Sequence, residues 1–238
     1  MVRKRRWCTL LALVLSAASC SDNSTPTGPP YDPELPDSWA VGVTNPFFPL
    51  VPGTTYRYQA ETDEGMEVIV VEVLSNMKVV NGVNAMVVRD RVSVDGELVE
   101  DTFDWYGQDS EGNVWYLGED SKEIEDGVVV STEGSWEWMV DGALPGVIMW
   151  ADPGAHMGEE YRQEYYEDEA EDWARVVGVD ETVVVPYGTY SGCIRTEDWN
   201  GLEPGTLEEK SYCPGIGFTR EVMVQGGGEV VELIEVTP

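Results

Sequence analysis

The sequence predicts an all-β domain, in which an antiparallel meander forms one strongly curved sheet or half-open barrel with an irregular apolar covering segment. Short β-branched and aromatic runs follow one another, separated by two-residue turn signals such as Asn81-Gly82 and Asp95-Gly96. No long stretch has convincing helical periodicity, and no sequence repeat of fixed period occurs. A helical fold, a propeller and a solenoid are therefore not expected.

The predicted strands can be placed along the chain in order. They cover residues 55–60, 67–74, 97–106, 113–118, 121–125, 128–132, 181–186, 190–198, 207–212, 218–224 and 230–236. Because nearly every connection is short, we expect neighbouring strands to pair antiparallel. Residues 159–177 fit either a helix or a hairpin, and we favour strands.

Residues 135–158 interrupt this pattern. They are rich in tryptophan, methionine and branched apolar residues, but glycine and proline divide them repeatedly. The segment is too apolar for an ordinary exposed loop, so it must cover a sheet face, fill a cavity or meet a partner. We interpret it as a cover over the core.

The N-terminal residues predict an exported lipoprotein. Four basic residues at positions 3–6 precede a short apolar run and small residues before Cys20, which is typical of a lipoprotein signal peptide. We expect residues 1–19 to be the signal peptide, residues 20–44 the lipidated Cys20 with a flexible linker, and residues 45–238 one β-rich domain. The expected location is the bacterial cell envelope, lipid-anchored and facing the periplasm or the exterior.

The charge of the chain excludes one class of partner. The net charge is −31, and four of the fourteen basic residues lie in the predicted signal peptide. Ten basic residues then remain against forty-five acidic ones, a net charge of −35. Such a surface repels phosphate backbones, so nucleic acid is not an expected partner. Attachment to the membrane is expected through the N-terminal lipid.

Two cysteines remain when Cys8 in the predicted signal peptide and Cys20 are set aside. Cys193 and Cys213 lie in the two strands around the turn at residues 201–205, and folding this hairpin about its centre places them opposite each other. An even number of cysteines outside the cytoplasm favours a disulfide. We expect a Cys193–Cys213 bridge, with two buried free thiols as the alternative.

Recognisable catalytic constellations are missing from the sequence. His156 is the only histidine, and neither a nucleophile elbow nor a P-loop occurs. Asp109, Glu111 and Asn113 alternate as at the start of a calcium loop, but Val114 stands where that loop requires glycine. A hairpin turn explains these residues more simply. Calcium at Asp109, Glu111 and Asn113 is kept as an alternative, and no other cofactor is expected.

Two neighbouring strands carry a family resemblance. They contain Asp-Trp-Tyr at 104–106 and Gly-Asn-Val-Trp-Tyr at 112–116, and Asn-Pro-Phe-Phe-Pro-Leu at 45–50 and Tyr-Arg-Gln-Glu-Tyr at 161–165 accompany them. From about residue 45 to its end the chain resembles an uncharacterised family of bacterial secreted β-rich proteins and lipoproteins. More loosely, it is similar in architecture to lipoprotein-carrier half-barrels, whose curved sheet shelters an acyl chain. The resemblance implies an exported β-rich domain but brings no activity with it.

These observations favour a non-catalytic binding module for a hydrophobic small molecule or an envelope protein. The concave face of the sheet would present aromatic side chains to this ligand. The candidate ligand-binding residues are Phe103, Trp105, Trp115, Tyr116, Trp136, Trp138 and Trp150. One alternative is a calcium-binding structural or adhesive surface protein. Another is a carboxylate-dependent glycan hydrolase, which would need a pair of acidic residues beside a cleft.

Overall fold

The hairpin turns form where the sequence predicts them. In the computed structural model, which describes residues 31–238, Asn81 and Gly82 have φ angles of 45° and 83°, and Asp95 and Gly96 have 48° and 88°. Asparagine, aspartate and glycine adopt such left-handed angles most readily, and this geometry matches the twist of the strands on either side. The predicted turns are therefore confirmed.

The described residues form sixteen strands and one short 3₁₀-helix. The strands are β1 (Thr55–Thr62), β2 (Gly65–Val80), β3 (Val83–Val94), β4 (Glu97–Gln108), β5 (Val114–Asp120), β6 (Glu123–Glu125), β7 (Val128–Ser131), β8 (Trp136–Glu137), β9 (Leu144–Met149), β10 (Glu160–Arg162), β11 (Glu164–Tyr165), β12 (Asp172–Val185), β13 (Gly188–Asn200), β14 (Leu207–Cys213), β15 (Gly217–Gln225) and β16 (Val230–Thr237). The 3₁₀-helix covers Pro153–His156. The uncertain stretch 159–177 thus contains strands.

One sheet joins these strands into a nearly closed barrel. Its order is β10-β12-β13-β14-β15-β16-β1-β2-β3-β4-β5-β9-β11, while β6, β7 and β8 pair at its margin. The two ends of this path, β10 and β11, are separated in the chain by Gln163 alone, so the sheet returns to itself there. The predicted all-β, strongly curved meander is confirmed. Within residues 31–238, no helix is long and apolar enough to cross a membrane.

The apolar segment 135–158 contains two strands where an irregular cover was expected. Its residues Trp136–Glu137 form β8, which pairs with β5, and its residues Leu144–Met149 form β9, which pairs with β5 and β11 as part of the sheet. A side chain at Gly146 would meet the backbone of Arg162 and Gln163 at 2.3–2.5 Å, so glycine lets the chain pass closely over β9. The glycine and proline that suggest irregularity in the sequence instead permit a tightly covered strand.

The inner face of the barrel carries a layer of aromatic residues. Tyr58, Tyr106 and Tyr212 are buried there, and Tyr106 stacks on Tyr116 with ring centroids 5.1 Å apart. Phe48 lies over this layer, with its ring centroid 5.1 Å from that of Tyr106 and 6.4 Å from that of Tyr212. The segment 45–50 thus covers one end of the barrel.

The predicted disulfide is present. Cys193 and Cys213 are bonded and fully buried, and the neighbouring residues Ile194 and Tyr212 pair in the ladder between β13 and β14. The predicted register of this hairpin is therefore confirmed. The predicted signal peptide and lipidation site at Cys20 lie outside the described residues.

We expect the double substitution C193A/C213A to lower the thermal midpoint by roughly 6–12 °C. The bridge spans 20 residues, and closing a loop of this size in the unfolded chain is worth about 3 kcal/mol, or about 2–4 °C per kcal/mol for a domain of this size. Thermal unfolding followed by circular dichroism measures the change. An unchanged midpoint would show that the bridge does not limit the stability of the fold.

Candidate functional site

The candidate aromatic residues do not share one concave face. Phe103 and Trp105 lie on the outside of the barrel, because they alternate along β4 with the inward-facing Asp104 and Tyr106. The ammonium of Lys78 covers Trp105, with Nζ 3.1 Å from the ring centroid. Both rings therefore lie away from the concave face, and the ring of Trp105 is covered by another side chain of the protein.

Three other candidates also pack within the protein. Tyr116 and Trp136 meet inside the barrel with ring centroids 5.3 Å apart. Trp138 packs against Trp39, at 5.9 Å between centroids, and Trp39 in turn lies 6.2 Å from Trp115. Of the seven candidates, the structure brings Trp115 and Trp150 together at one open surface.

That surface is a groove of about 800 Å³ beside the closure of the barrel, here called the seam groove. Its walls come from residues 31–37, from the loop 109–113, and from β5, β9, β10 and β12 with the residue that follows β9. Its aromatic surface is supplied by Tyr31, Trp115, Trp150, Tyr161 and Trp173. The groove therefore combines several of the sequence-predicted residues with three aromatic residues that were not among the candidates for ligand binding.

Aromatic contacts fix the geometry of the seam groove. The ring of Trp150 stacks on His156 at 4.0 Å and meets Tyr161 edge-on at 5.3 Å. The guanidinium carbon of Arg162 lies 4.2 Å from the ring centroid of Trp173. Within the described chain, the indole N–H of Trp150 and the hydroxyl of Tyr161 have no hydrogen-bond partner. Both atoms are buried, and Tyr161 interacts electrostatically with Asp198, Tyr212 and Lys210 inside the barrel, so these two polar atoms are not presented to the groove.

Part of the predicted linker forms one wall of the seam groove. The hydroxyl of Tyr31 donates a hydrogen bond of 2.9 Å to the carbonyl oxygen of Pro145, and its ring lies 5.6 Å from that of Tyr165. Pro33 and Leu35 follow along the same wall. Residues 31–37 thus lie against the strands at the closure of the barrel.

The candidate calcium residues form a turn at the edge of the groove. Asp109 Oδ1 accepts hydrogen bonds from the backbone N–H groups of Glu111, Gly112 and Asn113 at 2.8–2.9 Å. Its Oδ2 accepts from the side-chain amide of Asn113 at 2.8 Å and from the indole N–H of Trp115 at 2.9 Å. The Asp109 carboxylate therefore orders the turn and orients Trp115.

The structure does not place a calcium ligand set around this turn. No group of three His, Cys, Asp or Glu side chains in residues 31–238 is arranged to hold a metal ion. Calcium binding by Asp109, Glu111 and Asn113 stays a prediction from the sequence.

The rim of the seam groove is acidic. Glu34, Asp37, Glu111 and Glu160 are exposed there. Arg162 is half-buried, and its Nη1 lies 3.0 Å from Glu171 Oε2, which balances its charge. A ligand at this rim would therefore meet mainly negative potential.

Carboxyl groups also line the inside of the barrel, and the sequence analysis did not select them. They come from most strands around its circumference: Glu67, Asp90, Glu100, Asp104, Glu119, Glu164, Asp172, Asp198 and Glu221. We call this set the carboxyl ring. Electrostatic interactions connect its members from strand to strand, as between Asp90 and Asp104 and between Glu119 and Glu164.

Burial raises the pKa values of the carboxyl ring. It raises the pKa of Glu67 and of Asp104 to about 7 and that of Glu100 to about 8. The hydroxyl of Tyr116, which donates to Asp104 Oδ1 at 2.7 Å, partly opposes this effect by stabilising the ionised form. Several of these groups therefore hold protons at neutral pH.

Two solved structures are similar to this chain. One is a protein from Bacteroides fragilis, inferred to be exported and with a YmcC-like fold, at 16% identity and a TM-score of 0.48 over 81% of this chain and 99% of that chain. The other is an inferred lipoprotein from Parabacteroides distasonis, at 11% identity and a TM-score of 0.42 over 81% of this chain and 99% of that chain. No protein-family model and no curated protein matches the chain.

Proposed function

We propose that the protein is a non-catalytic binding module of the bacterial cell envelope, held to the membrane by a lipid on Cys20, and that its ligand lies in the seam groove. The signal-peptide pattern before Cys20 supports the location. The observation that carries the binding role is an aromatic groove of about 800 Å³, which lies within the usual size range of ligand pockets, about 300–1,000 Å³.

The size of the interior favours the groove over the concave face of the sheet. The cavity inside the barrel has a volume of about 70 Å³, because tyrosine and carboxylic side chains fill the space. An acyl chain needs much more room than this. The similarity to half-barrels that shelter a lipid therefore does not extend to the interior, and a larger ligand would use the outer groove.

The chemistry of the seam groove favours a ligand with an apolar body and a positive group. The faces of Trp150 and Trp173 and the side chains of Pro33 and Leu35 offer apolar contact. The acidic rim attracts a cation and repels an anion. A hydrophobic small molecule that carries an amine combines both properties.

Titration with simple amphiphiles tests this function. We expect dodecylammonium below its micelle concentration to change the tryptophan emission saturably, and dodecyl sulfate to have no such effect because the rim repels it. W150L and W173L should each weaken dodecylammonium binding about 5- to 30-fold, since each removes an aromatic face worth about 1–2 kcal/mol. Isothermal titration calorimetry measures the affinities.

The matched control is Y187L, which removes an exposed aromatic ring outside the groove. We expect this variant to bind dodecylammonium like the unaltered protein. If no amphiphile binds, or if W150L and W173L bind as tightly as Y187L, the seam groove is not the ligand site.

A further inference from the structure

The barrel interior contains a second, separate cavity, which shares none of its lining residues with the seam groove. Its walls include the rings of Tyr58, Tyr106, Tyr212 and Phe218, and Phe48 covers it. A volume of about 70 Å³ is room for about five water molecules, since one water needs about 10–15 Å³ by this measure. A compact group of a few heavy atoms fits this space.

Carboxyl groups on adjacent strands face this cavity. Asp90 and Asp104 line it from β3 and β4, and Asp198 lines it from β13. Asp198 is paired with Lys210, whose Nζ lies 3.5 Å from Asp198 Oδ2. Asp104 accepts one hydrogen bond, from the hydroxyl of Tyr116. Lys210 also lines the cavity, but its ion pairs are with Asp198, Glu208 and Glu221, so the carboxyl groups of Asp90 and Asp104 have no ion-pair partner among the described residues.

Asp90 gives an independent indication that a ligand belongs here. Its side chain is 94% buried, since 6% of its surface is exposed, and its Oδ1 has no hydrogen-bond partner within the described chain. Leaving such an acceptor buried and unpaired costs about 1–3 kcal/mol, more for a charged group. A donor held in the cavity would satisfy it.

The aromatic walls restrict the chemistry of that donor. Tyr58 and Phe218 lie 5.1 Å apart, and Tyr212 and Phe218 lie 5.7 Å apart, between ring centroids. The faces of such rings attract a cation within about 6 Å, most strongly when it is desolvated, and clusters of them bind alkylated ammonium groups. A metal ion would need more oxygen ligands, and no group of three acidic, histidine or cysteine side chains in residues 31–238 could hold one.

We propose that this cavity binds a small organic ammonium cation, held by the carboxyl groups of Asp90 and Asp104 within walls of tyrosine and phenylalanine. The site is independent of the seam groove and takes a compact ligand rather than an amphiphile. Phe48 and the rest of segment 45–50 lie over it, so the ligand would enter past this segment.

The test titrates the intact protein with tetramethylammonium chloride at pH 8, using isothermal titration calorimetry. Sodium chloride and calcium chloride at the same ionic strength serve as competing probes. We expect saturable binding of one tetramethylammonium per chain, with at least tenfold weaker binding in D90N and in D104N. Each substitution keeps the shape of the side chain and removes its ability to ionise, so both variants should fold, and thermal unfolding verifies this.

Two control variants locate the site. D126N makes the same chemical change at an exposed turn, where φ is 52° and asparagine is tolerated. W173L alters the seam groove. Both should bind tetramethylammonium like the unaltered protein. The proposal would be overturned if tetramethylammonium shows no saturable binding, or if folded D90N and D104N bind it as tightly as the unaltered protein. It would also be overturned if calcium competes for the site as strongly as tetramethylammonium binds it.

Discussion

The folded protein should resist heat better at pH 5 than at pH 8, with a thermal midpoint roughly 10 °C higher. Burial raises the pKa of Glu67 and of Asp104 to about 7 and that of Glu100 to about 8. In the unfolded chain these groups titrate near pH 4. One such shift corresponds to about 3 kcal/mol, and a domain of this size changes its midpoint by about 2–4 °C per kcal/mol, so a single fully expressed shift already supplies the expected change.

The sign of this effect follows from which state holds the protons. Below pH 4 both states are protonated, so the raised pKa values cost nothing. As the pH rises from 4 to 8, the unfolded chain releases protons that the folded chain retains, and stability falls. Above pH 8 the loss levels off for these three groups. Thermal unfolding at half-unit intervals from pH 4.5 to 8.5 measures the profile.

Two controls separate the contribution of the buried carboxyl groups to this pH dependence from the contribution of the acidic surface. In 1 M sodium chloride the Debye length is about 3 Å, so surface repulsion is screened and the remaining pH dependence comes from buried groups. E67Q should flatten the profile and raise the midpoint at pH 8, whereas E125Q, at the exposed end of β6, should do neither. A midpoint in high salt that is constant or rises from pH 5 to pH 8 would contradict the expectation.

The hairpins could be predicted from the sequence because their signals are local. The turn at Asn81-Gly82 and the turn at Asp95-Gly96 need only two residues each, and the pairing of Cys193 with Cys213 needs only the hairpin between them. Strand β9 was not predicted, since Pro145 and Gly146 mark a break unless the covering chain is known. Local chemistry determines the turns, but the close packing of distant segments determines this strand.

The candidate sites were only partly predictable for a similar reason. Trp115 and Trp150 are among the seven aromatic candidates selected from the sequence, but their meeting with Tyr161 and Trp173 depends on how the barrel closes. Aromatic residues on the outer face, such as Trp105, have the same sequence signature and pack elsewhere. Composition identifies the residue types that could bind a ligand, whereas the register of the sheet determines which of them meet.

The carboxyl ring left one weak signal in the sequence. Glu100, Thr102, Asp104 and Tyr106 alternate along β4, so acidic side chains share a face with a buried tyrosine. Polar residues at alternate strand positions normally face water, so this pattern alone predicts a solvated face. Their burial follows from the closure of the barrel, in which strands far apart in the sequence come together. This closure brings β13 and its Asp198 to the same cavity as β3 and β4.

Lys210 is the position where one substitution should cost the most stability. Its side chain is 8% exposed, and its Nζ lies 3.3 Å from Glu208 Oε2, 3.5 Å from Asp198 Oδ2 and 3.8 Å from Glu221 Oε2. Burial alone would lower the pKa of Lys210, but these three carboxylates raise it well above its usual value. The ammonium is therefore charged and lies among three carboxyl groups.

We expect K210M to lose about 3–5 kcal/mol of stability at pH 8, because removing one partner leaves buried charges without compensation. The loss should be smaller at pH 5, where the carboxyl groups bind protons instead. K210M/E221Q should recover part of the stability, since one of the buried carboxyl groups left without a cation is then absent. Chemical denaturation at both pH values measures these differences.

The matched control for this prediction is K122M, which removes the half-exposed ammonium that lies 2.6 Å from Asp120 Oδ2. Such a surface pair contributes about 0–1 kcal/mol, so this variant should remain close to the unaltered protein at either pH. If K210M is as stable as K122M at pH 8, the interior carboxyl groups are not held by Lys210. A loss that is equal at pH 5 and pH 8 would instead assign the role of Lys210 to the packing of its methylene chain.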